Sequence, residues 1–408
     1  MQGKRIRKIY IFKVLNQELY HEKDSRFIII GIYSFCRRLP KRKSFTLSVI
    51  KYHIYNIHRD FLCGAKQWDE IVEVGESCEK LLKEYLREEY VGVPSHDTFS
   101  RFFSLVSPES MEKAFRQTMQ KIRSNHVSEE ASKEVIAIDG KYMNGVKGSE
   151  SLNIVSAFAT SLGLSLGQKE AEKKMNEPEV LRQLLSELDL KDCIITADAL
   201  HCQKESAKRI IEAKADYVLV VKKNQRKLHN AILEGIRVEN IRDKKRSISH
   251  EEVSIEAHGR IDNYVCHSCS LLGWLPQVGT EWEGIKSFGT ITRESTDLSS
   301  GEKSIETRCF ISSLPMNAED HLKWLRKHWL IENHLHWQLD VTFQEDQSRM
   351  KRVQSKNISL LRKLALPALK SFEYKKHSSL KNKMFAAAFK PEIRRKLIDS
   401  ALEFFYVS

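Results

Sequence analysis

Two hydrophobic periods divide the chain. Over residues 67–123 apolar side chains recur at helical spacing, as in Trp68, Ile71 and Val72 and then Phe99, Phe102, Phe103 and Val106. Pro94 and Pro108 interrupt the pattern. Ser95 stands where a helix N-cap belongs, and Ser107-Pro108-Glu109 opens the next helix with proline in its first turn. Residues 61–133 therefore read as a small helical domain, its end a polar linker over 124–133.

From Val135 the period shortens. Apolar runs at 135–138, 152–158 and 164–168 predict three strands, a helix is predicted over 178–188, a strand over 193–197, a helix over 203–213 and a strand over 217–221. A three-strand meander followed by strand, helix, strand is the order of an RNase H-like α/β core, here assigned to 134–375. Inside it, polar–apolar alternation between about 240 and 315 predicts a β-rich insertion. Helical patterns return over 317–340 and 358–369, and residues 376–408 complete the chain as a helical tail.

Composition narrows the function. With 41% apolar and 30% charged residues the 408-residue chain can bury a substantial core, and 17 Gly and 8 Pro exclude a collagen-like or low-complexity polymer. No apolar run approaches the roughly 18 residues a membrane span needs, so no membrane partner is expected. A net charge of +13 fits a polyanionic partner. The charge is uneven: residues 1–60 hold 14 Lys/Arg against 4 Asp/Glu, which leaves +3 for the rest. This basic, aromatic-rich start reads either as a DNA-binding arm or as a degenerate beginning. The eight Cys are scattered and no secretory leader precedes them, so reduced thiols in a cytoplasmic protein are expected. Cys266 and Cys269 are either small buried thiols on a strand or half of a zinc site.

Two acids sit where a buried strand runs out. Asp139 closes Ile136-Ala137-Ile138 and Asp198 closes Ile194-Ile195-Thr196-Ala197. A carboxylate at such a sheet edge is poorly solvated, and a divalent cation offsets its charge best; Asp-Gly and Thr-x-Asp also end strands as ordinary turns. On the late helix His328, Glu332, His336 and Asp340 fall four residues apart along one face, with Leu325, Trp329, Leu335 and Leu339 available for burial. That spacing alone does not choose between metal ligation, DNA contact and a solvated stripe.

The chain resembles a known family in ordered segments running from about Trp68 to Leu369. They include Gly92-Val93-Pro94-Ser95-His96-Asp97-Thr98-Phe99, Ala137-Ile138-Asp139-Gly140-Lys141 and Asp198-Ala199-Leu200-His201-Cys202-Gln203-Lys204. Lys222-Lys223-Asn224-Gln225, His258-Gly259-Arg260 and His328-Trp329-Leu330-Ile331-Glu332-Asn333-His334-Leu335-His336-Trp337 follow. The family is that of bacterial insertion-sequence transposases with an Asp-Asp-Glu site, in the group of the H-repeat-associated proteins of Rhs elements. The resemblance implies that Asp139, Asp198 and Glu332 are the catalytic acids and hold two Mg2+ (or Mn2+) ions, which cleave DNA at element ends and transfer the strand to target DNA. It implies double-stranded DNA as partner, a homodimer in a synaptic complex, and a cytoplasmic, nucleoid-associated location. The 59 positions from Asp139 to Asp198 and the 134 from there to Glu332 accommodate the further strands and the insertion.

Candidate DNA contacts are Lys222, Asn224 and Gln225 after the last core strand, His258 and Arg260 in the insertion, and Arg326, His328, Asn333, His336 and Arg349 around the third acid. The wider superfamily's Tyr-Arg-Glu-Lys signature is not kept: His328 stands four residues before Glu332 and Leu339 seven after it. Two rival readings compete with this one. One is a zinc hydrolase on His328, Glu332 and His336; the other is an inactive or domesticated transposase that binds DNA without cutting it.

Overall fold

The computed structural model describes residues 60–86, 92–126, 133–147, 151–172, 176–242, 248–257, 259–270 and 281–406. The expectations for residues 1–59 and for His258 fall outside them. Ahead of the sheet the described residues include four helices: α1 (Trp68–Ser77), α2 (Glu79–Leu86), α3 (His96–Leu105) and α4 (Pro108–His126). Ser95 caps α3 by accepting from the Thr98 N–H at 3.4 Å. Phe99, Phe103, Phe115 and Met119 from these helices are buried in one core with Ile136, Ile138 and Phe158 of the sheet that follows. Apolar packing thus crosses residue 133 without a break.

The meander is β1 (Val135–Met143), β2 (Leu152–Ala159) and β3 (Leu164–Ala171); then come α5 (Glu177–Ser186), β4 (Ile194–Ala197), α6 (Lys204–Glu212) and β5 (Asp216–Val221). Strand β1 runs antiparallel to β2 and parallel to β4, and β4 is parallel to β5. The near-continuous burial of β2 and β4 is what a sheet covered on both faces requires.

Helix α7 (Arg226–Arg242) leads to β6 (Ile248–Ala257), β7 (Arg260–Ser270), β8 (Ser287–Asp297) and β9 (Lys303–Ser312). These strands do not form a separate body: β9 pairs antiparallel with β5, and the described strands make one nine-stranded sheet in the order β3-β2-β1-β4-β5-β9-β8-β7-β6. Strand β5 ends opposite Cys309, so Lys303 to Arg308 and their partners overhang its carboxyl end. At about 3.3 Å per residue the ribbon projects roughly 20 Å past the sheet edge.

Helix α8 (Ala318–His328) covers the inner face of that ribbon, where Leu322 and Leu325 meet Tyr264, Cys266 and Ile291. A π-helical turn, Glu332–His336, separates it from α9 (Trp337–Val341). The long α10 (Arg352–Ser371) crosses behind the meander, bound to α3 through Gln354 Nε2 to Ser100 O (2.7 Å) and Asn357 Nδ2 to Val106 O (2.9 Å). The last helices, α11 (Leu380–Phe389) and α12 (Pro391–Tyr406), pack back onto the body: Lys383 Nζ donates to Leu369 O (2.9 Å), and Arg394 Nη1 reaches Ser77 O (3.2 Å). No helix among the described residues is long and apolar enough to cross a membrane.

Candidate active site

Val135 to Ile138 are fully buried, and Asp139 is the first residue of β1 to leave the core. Because Ile138 pairs with Ala197 in parallel register, Asp139 and Asp198 are the next positions on adjacent strands and emerge at one edge. Glu332 arrives from the opposite direction on the π turn, whose wider winding begins at that residue. His336 Nδ1 lies 3.5 Å from Asp139 Oδ2 and 3.9 Å from Glu332 Oε2. One donor atom from each of Asp139, Glu332 and His336 falls within 4.8 Å of the other two. Lys370 Nζ donates to the His334 carbonyl at 2.9 Å, satisfying an acceptor of the irregular turn.

Burial raises the Asp139 carboxyl, as do the charge of Glu332, a hydrogen bond shared with it and the more distant Asp198; the Gly140 N–H opposes them, and the carboxyl is pushed up to about 8. A buried carboxyl held this close to a second carboxylate keeps a proton or takes a cation. Asp198 is in a different state. Burial pushes it up, but the Ala199 N–H and Lys222 outweigh that and leave it below its ordinary value, with Lys222 Nζ 3.1 Å from Oδ1. The donor set, carboxylate oxygens and one imidazole nitrogen, fits a divalent cation.

The other anticipated residues divide. Asn224 Nδ2 donates to Ala199 O (2.8 Å) and Gln225 Nε2 to Cys202 O (3.3 Å), so these amides brace the loop that follows Asp198. DNA contact does not suit His328 or His336, because both rings are buried. His328 Nδ1 pairs with Thr196 Oγ1 at 3.2 Å, and His336 faces the acids. Asn333 and Arg349 are exposed, and Arg326 is half-buried with its guanidinium 5.1 Å from the Tyr264 ring centre. Arg260 is exposed at the β6–β7 hairpin, paired with Ala257 at the far end of the ribbon and not beside the acids. Cys266 and Cys269 are both buried, and three residues apart on one strand they point to opposite faces, so they cannot share a zinc ion.

Sequence reasoning missed a second layer. Glu177 is buried with Oε1 2.8 Å from Asn153 Nδ2 and Oε2 3.7 Å from His201 Nε2. A Cβ on Gly140 would stand 2.6 Å from Glu177 Oε2, which explains glycine directly after Asp139. Gly140→Ala should therefore cost about 1–3 kcal/mol of stability, seen as a lower thermal midpoint; an unchanged midpoint would show that Glu177 yields freely. Behind Asp139, Glu345 is buried between Lys141 and Arg362 at 3.6 Å from each. The one sequence signal for this layer was Arg362-Lys363 interrupting the apolar run of residues 358–369.

Comparison with known proteins shows the family. Residues 121–366 match the family model described as "Transposase DDE domain", and residues 38–119 match one described as "DDE_Tnp_1-associated". The second match begins well before Trp68, inside the stretch where the motifs give no resemblance. The chain is 37% identical over 317 residues to "Putative transposase YncI" of Escherichia coli O157:H7, covering 76% of this chain and 79% of that protein. It is 31% identical over 349 residues to "H repeat-associated putative transposase YhhI" of Escherichia coli strain K12, covering 83% and 86%. A solved piggyBac transposase synaptic complex with hairpin DNA overlays at a TM-score of 0.39 and 12% identity, covering 97% of this chain and 80% of that one, a likeness too weak to bear on the site. The chain belongs to the transposase family defined by the DDE domain.

Proposed function

We propose that the chain is a DNA transposase that cleaves at insertion-sequence ends and transfers the strand into target DNA, using Asp139, Asp198 and Glu332 on an RNase H-like core. The observation that carries this is the delivery of Glu332, 193 positions from Asp139 in sequence, onto that buried strand-end acid. Two divalent ions, Mg2+ or Mn2+, bound there would supply Lewis acidity for an in-line displacement at phosphorus. Asp139 and Glu332 provide the oxygens that would hold one of them. Asp198, kept ionised by Lys222, provides an oxygen toward the second, and Lys222 is then free to take a phosphate oxygen. Asn224 and Gln225 hold the Asp198 loop in place. Exposed Asn333, next in sequence to the third acid, exposed Arg349, half-buried Arg326, and Arg260 on the overhanging ribbon suit the backbone of double-stranded DNA. A homodimer would pair two element ends.

The test is cleavage of a duplex carrying the element's flanking repeats by purified protein in Mg2+, Mn2+ or EDTA. Wild type should cut only with metal, and Asp198→Ala should cut at least about a hundredfold more slowly. Equal cutting by both would remove Asp198 from the mechanism. Binding without cutting under every condition would leave a DNA-binding protein in place of an enzyme.

A further inference from the structure

We infer that His336, through Nδ1, is itself a ligand of the ion held by Asp139 and Glu332, making that half of the site a nitrogen–oxygen–oxygen set. The inference rests on the acid-site reading above and adds a ligand to it.

Geometry comes first. Donor atoms sharing an octahedral ion at about 2.1 Å lie about 3 Å apart. The 3.5 Å and 3.9 Å from Nδ1 to the two carboxylates are that spacing slightly opened. The π turn places Glu332 and His336 together at Asp139, and Lys370 holds the turn through the His334 carbonyl.

The state of the ring is the second point. Two other buried imidazoles in this fold pair through Nδ1 with hydroxyls, His328 with Thr196 and His321 with Ser268 (3.1 Å). His336 is just as buried, but its Nδ1 meets no hydroxyl and faces two acids from beyond hydrogen-bond range, while its Nε2, like that of His321, has no hydrogen-bond partner among the described residues. A buried ring kept for packing alone would normally be satisfied by the protein.

The third point is how the ligands are shared out. Asp198 is engaged with Lys222, so His336 completes a three-donor set on the Asp139 side without it. Imidazole suits Mn2+ better than the harder Mg2+, so this position should favour manganese.

Pulsed electron paramagnetic resonance of Mn2+ bound to the full chain tests this without reference to activity. Wild type should show a nitrogen coupling that changes on labelling histidine with 15N. His336→Gln and His336→Ala should lose the coupling, bind Mn2+ at least about tenfold more weakly, and lose part of the preference for Mn2+ over Mg2+. The two variants differ in bulk, so one serves if the other fails to fold. Mn2+ binding that depends on Glu332 but shows no nitrogen coupling, or a coupling that persists in His336→Gln, overturns the inference and leaves the acid site standing. Binding insensitive to Asp139→Asn, Glu332→Gln and His336→Gln alike overturns both.

Discussion

Asp139→Asn should reduce metal-dependent cleavage by about a thousandfold or more and at the same time stabilise the metal-free protein above neutral pH. The first effect follows from losing an oxygen donor worth several kcal/mol at the reacting phosphate. The second has the same origin. An aspartate ordinarily titrates near 3.8, but burial and the Glu332 charge push this one up to about 8. Between those values the folded protein holds a proton that the unfolded chain has released, so folding becomes less favourable as pH rises. The stability of the metal-free wild type should therefore fall from about pH 4 to about pH 8 and level off above. Asn carries no such penalty. The difference should reach about 2–4 kcal/mol, below the full linkage value because the proton is shared with Glu332, whose side chain is 58% exposed. Thermal melts in EDTA across pH 5 to 8.5 measure it, and wild-type and variant curves that stay parallel would sink the account. Added Mn2+ should stabilise the wild type and not the variant.

That strain is the part of the site a sequence shows best. Both aspartates stand out because each ends an apolar run, and a carboxylate there either terminates a strand or serves chemistry. The helical stripe was only half right. His328, Glu332, His336 and Asp340 share a face on a regular α-helix, but here they serve three places: His328 turns to Thr196, Glu332 and His336 to Asp139, and Asp340 to Lys141 at 2.7 Å. The π turn between them causes the split, and nothing in residue type marks a π turn, since it reflects what the helix must reach and not what it is made of. The ribbon's strands were legible from their alternation, whereas their place in the main sheet was not, because a period of two does not specify a partner. Asn224 and Gln225 looked like DNA contacts for a similar reason: an amide in a polar loop reads alike whether it meets phosphate or a neighbouring carbonyl.

Glu345→Ala should be the most destabilising single change in the catalytic half, costing about 3–5 kcal/mol. Its carboxylate is 1% exposed and stands between the Lys141 ammonium and the Arg362 guanidinium. Lys141 has further anions in Asp340 and Asp346, the latter at 3.3 Å. Arg362 is less provided for: Nε and Nη2 are buried with no hydrogen-bond partner among the described residues, and its one other cationic contact is the Phe61 ring, 5.5 Å away. Without Glu345 that guanidinium is a buried charge with almost nothing to offset it, beside the equally buried Lys363, which is fixed by Ser156 (2.8 Å) and Gln168 (2.6 Å). Removing both members of the pair should cost less than removing one. Glu345→Ala combined with Arg362→Met should recover much of the loss, since an apolar residue of similar length fills the space without a charge. A cost below about 1 kcal/mol for Glu345→Ala in chemical denaturation would place the pair with ordinary surface ion pairs and contradict its burial. The acids should be touched less. Lys141 is two residues beyond Asp139 on β1, and its Asp340 partner is four residues beyond His336, so that ion pair ties the strand to the helix after Glu332 and does not depend on Glu345. Surviving folded Glu345→Ala protein should then bind Mn2+ about as tightly as wild type, because Lys141 still holds the two halves of the site to one support.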